Sequence, residues 1–194
     1  MTTWMTSDNH FFHKNVIRYS SRPFKNVDEM NEGMIARWNA RVKPGERVIC
    51  HGDFSFGSPL KTSLIMQRLN GELELLIGNH DEDSALKSPA LELWKSVRHY
   101  LEFEHKDERT AKTWRFVCFH FPIERNSHHW AARQTLHTTG HRHMPSLMED
   151  QSLMLFDVGV DANNWAPISL EEIIDAATAS TWKPPKRDHH GVNQ

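Results

Sequence analysis

The sequence predicts an α/β domain, and three observations carry that prediction. Short β-prone apolar runs alternate with stretches whose apolar residues recur at helical spacing. Gly, Pro, Asn and Ser mark the changes of period. No internal repeat and no long Pro- or Gly/Ser-rich linker interrupts the first 180 residues, so one domain is expected over 1–181, with a tail at 182–194 that has little to bury.

Thr2 to Thr6 form the first strand-like run, broken by Ser7, Asp8 and Asn9. Val27, Met30, Met34, Ile35 and Trp38 then make a helical stripe that starts after Asn26 and ends before Pro44-Gly45. Arg47 to Cys50 are a second strand. Ser58-Pro59 is an N-cap followed by proline at the first helical position, with Leu60, Leu64, Ile65 and Leu69 expected on the buried face and Asn70-Gly71 as the stop. Leu73 to Ile77 form a third strand, and Tyr100 to His105 with Trp114 to Phe119 read as a hairpin across the charged stretch Lys106 to Lys112. Leu153 to Val158 make a further strand. Ser169 and Glu172 form a capping box for a last helix that buries Leu170, Ile173, Ile174 and Ala177.

Composition bounds the function. In 194 residues, 23 basic and 25 acidic side chains give a net charge of −2, which lacks the broad basic field that duplex DNA or an anionic membrane requires. Two cysteines exclude a disulfide framework and a four-thiolate zinc site. The start of the chain has no basic and apolar leader, and no run approaches a membrane span, so a cytoplasmic, unanchored protein is expected. Against this ordinary background stand 14 histidines.

Five polar motifs sit where strands end: Asp8-x-His10, Gly52-Asp53, Gly78-Asn79-His80-Asp81, His120 before Pro122, and Gly140-His141-x-His143. Loops after parallel strands converge on one rim, which can gather residues distant in sequence. Asp8, His10, Asp53, Asn79, His120, His141 and His143 supply two carboxylates, one amide oxygen and four imidazoles. That is too many for one tetrahedral ion and suits two five- or six-coordinate divalent ions of borderline N/O preference. Two ions need a bridge, and Asp53 is the candidate because a carboxylate can ligate both.

These blocks, in this order, resemble the calcineurin-like metallophosphoesterases, whose pattern is D-x-H, G-D, G-N-H-D/E, H and G-H-x-H. Ser7 to Asn15, Arg22-Pro23-Phe24, Gly52 to Gly57 and Gly159-Val160-Asp161 further resemble a small phage and bacterial subgroup. The resemblance implies a four-layer α/β/β/α fold, a two-sheet β-sandwich flanked by helices. It implies one metal on Asp8, His10, Asp53 and His143 and another on Asp53, Asn79, His120 and His141, with manganese first and iron, zinc, nickel or cobalt as alternatives. It leaves His80 to protonate the leaving group and Asp81 to orient His80. His51 departs from the aliphatic residue more usual before Gly-Asp.

The implied activity is metal-dependent hydrolysis of phosphodiesters or phosphomonoesters of small, nucleotide-like substrates. His13 and Arg22 are expected to contact substrate. Lys14, Asn15 and Arg18 follow the same loop, as phosphate contacts or as solvated surface groups. Two rivals stand beside this reading: a non-catalytic metal-binding scaffold, which would not need the free His80, and a nuclease acting on polynucleotides, for whose strand-gripping domain 194 residues leave little room.

Overall fold

The computed structural model describes residues 1–123, 134–150 and 154–180. The expected tail and the segment holding His128, His129 and Trp130 lie outside them. In chain order the elements are β1 (Thr3–Thr6), α1 (Val16–Tyr19), α2 (Val27–Arg41), β2 (Arg47–Cys50), α3 (Pro59–Met66), β3 (Glu72–Leu76), β4 (Ser96–Arg98), β5 (Tyr100–Asp107), β6 (Lys112–Phe119), β7 (Thr135–Thr139), β8 (Met148–Asp150), β9 (Leu155–Asp157), β10 (Ile168–Ser169) and α4 (Leu170–Ala179), with a single 3₁₀ turn at Leu91–Leu93.

The strands form two five-stranded sheets, ordered β10-β1-β2-β3-β4 and β5-β6-β7-β9-β8. In the first, β1 to β4 run parallel and β10 closes the edge antiparallel. In the second, β6, β7 and β9 are parallel between antiparallel β5 and β8. Parallel strands deliver their C-terminal ends to one edge of a sheet, so the loops after β1, β2 and β3 share one rim and those after β6, β7 and β9 another. Ser7 and Gly159 pair as an isolated parallel bridge, and the Val160 amide donates to the Ser7 carbonyl at 3.0 Å, which stitches the two rims together.

Strand alternation builds two cores. On β2, Val48 and Cys50 face α2 and α3, where they meet Met30, Met34, Trp38, Leu73 and Leu75. Ile49 points the other way, into a core with Met5, Leu76, Phe116, Leu136 and Phe156 from both sheets, which α4 joins through Leu170, Ile173 and Ile174. The Asn26 cap, the Ser58 cap and the Ser169–Glu172 capping box are all present.

Several expectations are corrected. Leu60 and Leu64 are 60% and 52% exposed, and α3 instead buries Thr62, Ser63, Ile65 and Met66. The helix is turned because the Thr62 hydroxyl donates to Ser55 Oγ at 2.8 Å, in the loop after Asp53. The hairpin strands extend to Asp107 and Lys112, since Asp107 accepts from Arg109 N and Thr110 Oγ1 and closes the turn locally. A helical layer outside the second sheet is not found among the described residues, where α4 joins the inter-sheet core instead. None of their helices is long and apolar enough to cross a membrane.

Candidate metal centre

The loops that follow the parallel strands are held in unusual backbone. Asp8, His10, Asp53, His141 and His143 all have positive φ, from 50° to 74°. Each such residue costs on the order of 1–3 kcal/mol, so surrounding bonds must fix it. The Asp8, His10 and Phe11 amides donate to the Gly52, Asp53 and Phe54 carbonyls at 3.0 Å, extending the β1–β2 pairing into the loops. Gly78 is required by close approach: a Cβ there would strike Asp53 Oδ1 and lie 2.6 Å from the Asp53 nitrogen.

All seven expected ligands meet at this junction, in two groups. Asp8, His10 and His143 offer ligand atoms within 4.8 Å of one another, as do Asp53, His120 and His141. Asn79 completes the second group, its Oδ1 3.0 Å from both His120 Nε2 and His141 Nδ1. Asp53 lies between the groups, with Oδ2 3.8 Å from His10 Nε2 and 3.7 Å from His120 Nε2. Bonds of about 2.0–2.2 Å to a shared ion place neighbouring ligand atoms about 3–4 Å apart, which is the spacing seen.

Hydrogen bonds behind the rings point lone pairs inward. His120 Nδ1 donates to the His51 carbonyl at 2.6 Å and His143 Nδ1 to Asp161 Oδ2 at 2.7 Å, leaving each Nε2 as the atom that faces the site. His143 Nε2 stands 3.2 Å from His10 Nε2, and Asp8 Oδ1 is buried with no hydrogen-bond partner. Acceptors turned toward each other in a buried place repel unless a cation or proton lies between them. The donor set therefore fits divalent ions.

Burial raises the Asp8 carboxyl to about 7, with His143 opposing and Asp53 adding to the effect. Burial also pushes the His10 and His141 imidazoles down, into the neutral form that ligates. Against desolvation, the Asp161 hydrogen bond and the Asp8 carboxylate hold His143 above its ordinary value. An ion at the Asp8 group must displace the Asp8 proton, so divalent-metal affinity should fall as pH drops below about 7. Titration calorimetry with Mn²⁺ between pH 5.5 and 8 checks this; a flat affinity would contradict it.

A cleft of about 490 Å³ opens over the two groups, lined by His10, His13, Tyr19, Phe56, Asn79, His80, His141 and His143 among others. His80 is exposed there, its backbone N–H fixed by Asp53 Oδ1 at 2.9 Å and its ring centroid 4.8 Å from that of Phe56. His13 stacks on Phe56 at 4.0 Å, within reach of whatever occupies the cleft.

Two expected roles are corrected. Asp81 does not orient His80: its carboxylate accepts the Gly78, Asp53 and Phe54 amides at 2.8–3.0 Å, tying the second and third loops together. Arg22 is 4% exposed and faces away from substrate space. Its guanidinium grips Asp161 bidentately at 2.8 and 2.9 Å and donates to the Asp8 and Asn9 carbonyls at 2.7 and 2.9 Å. Asp161, which joins Arg22 to His143, has no role that the sequence assigns, although Gly159-Val160-Asp161 after a strand is a signal for one. His51 is a core residue, its imidazole lowered to about 3 by burial and its Nε2 2.9 Å from Thr138 Oγ1.

The chain is thus a mixed α/β protein with two residue clusters able to hold metal ions. No family model matches it. Over 81 residues, 41% of its length, it is 41% identical to an uncharacterized protein of Methanocaldococcus jannaschii, and that match spans 46% of the curated relative, about half. A protein of unknown function from Aquifex aeolicus has a similar structure, with TM-score 0.66 and 23% identity over 90% of this chain and 98% of that one, which shows the fold alone. A conserved protein of Streptococcus pneumoniae, a predicted phosphoesterase, reaches TM-score 0.36 at 18% identity over 81% of this chain and 70% of that one, too low to show a shared fold.

Proposed function

We propose that the chain is a binuclear, metal-dependent phosphoesterase of the calcineurin-like superfamily, acting in the cytoplasm on small nucleotide-like phosphoesters. The single observation that carries this reading is the convergence of two ligand groups on Asp53 Oδ2 beneath an open cleft. Manganese is the first candidate for the donor set, with iron, zinc, nickel and cobalt behind it.

Asp8, His10 and His143 hold one position, Asn79, His120 and His141 the other, and Asp53 joins them. Bound there, two divalent ions would neutralise phosphate charge and supply a nucleophilic water near neutral pH. His80 gives a proton to the departing oxygen from the cleft side, and Asp53 fixes its backbone for that task. His13 and Phe56 bound one side of the cleft.

The test is His80→Ala. The variant should retain its metal by elemental analysis and lose about 10²- to 10⁴-fold on alkyl phosphoesters, with a much smaller loss on p-nitrophenyl esters, whose leaving group needs no proton. Equal losses on both ester types at unchanged metal content would contradict the role.

A further inference from the structure

A second cleft lies behind the first, and α1 is the wall between them. Residues 13, 16, 19 and 20 line the metal cleft, whereas 14, 15, 17 and 18 line the second, the division that a 3.6-residue period imposes on one short helical segment. The second cleft, of about 580 Å³, is bounded by Lys14, Asn15, Ile17, Arg18, Lys25, Asn26 and Val27. Three cations and two amides line it, and no acid does.

The cations are exposed, and among the described residues none of the three forms an ion pair. The acids that follow in sequence have other contacts. Asp28 lines the groove between α2 and α3, and Glu29 accepts the Lys25 backbone amide at 3.1 Å. Among the described residues seven arginines pair with carboxylates; Arg18 instead lies over the ring of Tyr19, 5.4 Å from its centroid. Tyr19 is 65% exposed on the ridge, with its ring centroid 6.4 Å from that of His13. From the metal cleft outward the surface therefore presents Phe56, His13 and Tyr19, then Arg18, Lys14 and Lys25. Aromatic faces that stack bases, followed by unpaired cations that bind phosphate, are the arrangement that holds single-stranded nucleic acid.

The geometry points to a short single-stranded oligonucleotide as the substrate class: one phosphate over the ligand groups, a base against Tyr19 and a further phosphate between Lys14, Arg18 and Lys25. This rests on the proposed hydrolase reading for the reacting phosphate only, because the second cleft contains none of the metal ligands. The two clefts stand about one helix diameter apart, on the order of 10 Å, which a single phosphate group does not span.

Binding and turnover are tested apart. Fluorescence anisotropy of a fluorescein-labelled tetrathymidylate, measured in chelator, should show at least about tenfold weaker binding to the K14A/R18A/K25A variant. Its log–log salt slope should be shallower by about 0.7 for each phosphate released. Tyr19→Ala should weaken binding about fivefold or more. Equal affinity of wild type and triple variant overturns the inference, as does competition by inorganic phosphate or a mononucleotide as strong as by the unlabelled tetramer. Hydrolysis of bis-p-nitrophenyl phosphate with Mn²⁺, too short to reach the second cleft, should be unchanged in the triple variant; a parallel loss there would also overturn it. Wild-type inertness toward that ester with every divalent ion tried would defeat the hydrolase reading, while the anisotropy would still decide the second cleft.

Discussion

Asp53→Ala should abolish metal-dependent turnover and lower the bound metal by at least one ion per chain. Asp53 Oδ2 faces both ligand groups at 3.7–3.8 Å, so its loss takes a ligand from each, and its Oδ1 also anchors the His80 backbone. Removing a partner behind a ligand costs roughly 10- to 100-fold in affinity or activity, and removing a shared ligand should exceed that range. The fold should survive. Removing Asp53 relieves repulsion that helps raise the Asp8 carboxyl but leaves the His80 amide without its acceptor, so the metal-free variant should melt close to the metal-free parent. The stabilisation that Mn²⁺ gives the parent, which scales with the logarithm of ligand over Kd, should largely vanish. Elemental analysis and melting curves with and without Mn²⁺ measure both effects. Full metal occupancy in the variant would remove Asp53 from the bridging position.

Arg22→Met should act on stability more than on substrate affinity. Arg22 and Asp161 form an ion pair at 2.8 Å with side chains 0% and 7% exposed. Burial alone would raise the Asp161 carboxyl, and the hydrogen bonds from His143 and Arg22 hold it below the usual carboxylate range. Methionine leaves that carboxylate short of its bidentate partner and strips the Asp8 and Asn9 carbonyls of their donors. Breaking one side of a buried pair costs about 3–5 kcal/mol. For a chain of this size that is a fall of roughly 6–20 °C in Tm. Arg22→Lys should not rescue, because an ammonium cannot make the bidentate fork while reaching two carbonyls. The double variant R22M/D161N should be less damaged than the sum of its single changes, since it leaves no unpaired charge. An unchanged Tm with a raised KM would restore Arg22 to the substrate-contacting role that the sequence suggested.

The contrast between Asp53 and Arg22 indicates what kind of information the chain displays in one dimension. Asp53, like the six other candidate ligands, is legible because metal chemistry restricts residue type and strand ends restrict position. The Ser169–Glu172 capping box is legible for a similar reason, since both partners are three residues apart. Arg22 and Asp81 were misread because a charged residue beside a ligand motif has several possible partners, and nearness in sequence favours the wrong one. Asp81 turns to two amides of the preceding loop and one of its own, and Arg22 reaches 139 residues onward to Asp161. The same holds for part of α3, where Ile65 and Leu69 are buried as their spacing predicts but a Thr62–Ser55 hydrogen bond turns Leu60 and Leu64 outward. Short β4, β8 and β10 carry too few residues for a period and exist because a neighbouring strand pairs with them.

By itself the sequence determined the α/β alternation, the caps and the inventory of seven candidate metal ligands, because each depends on residue chemistry or on neighbours within one helical turn. Only the tertiary structure decided which groups share Asp53, that Arg22 clamps the first loop through Asp161, and that α1 divides one cleft from another. Those are choices among hydrogen-bond partners far apart along the chain, and the packing of two sheets against each other makes them.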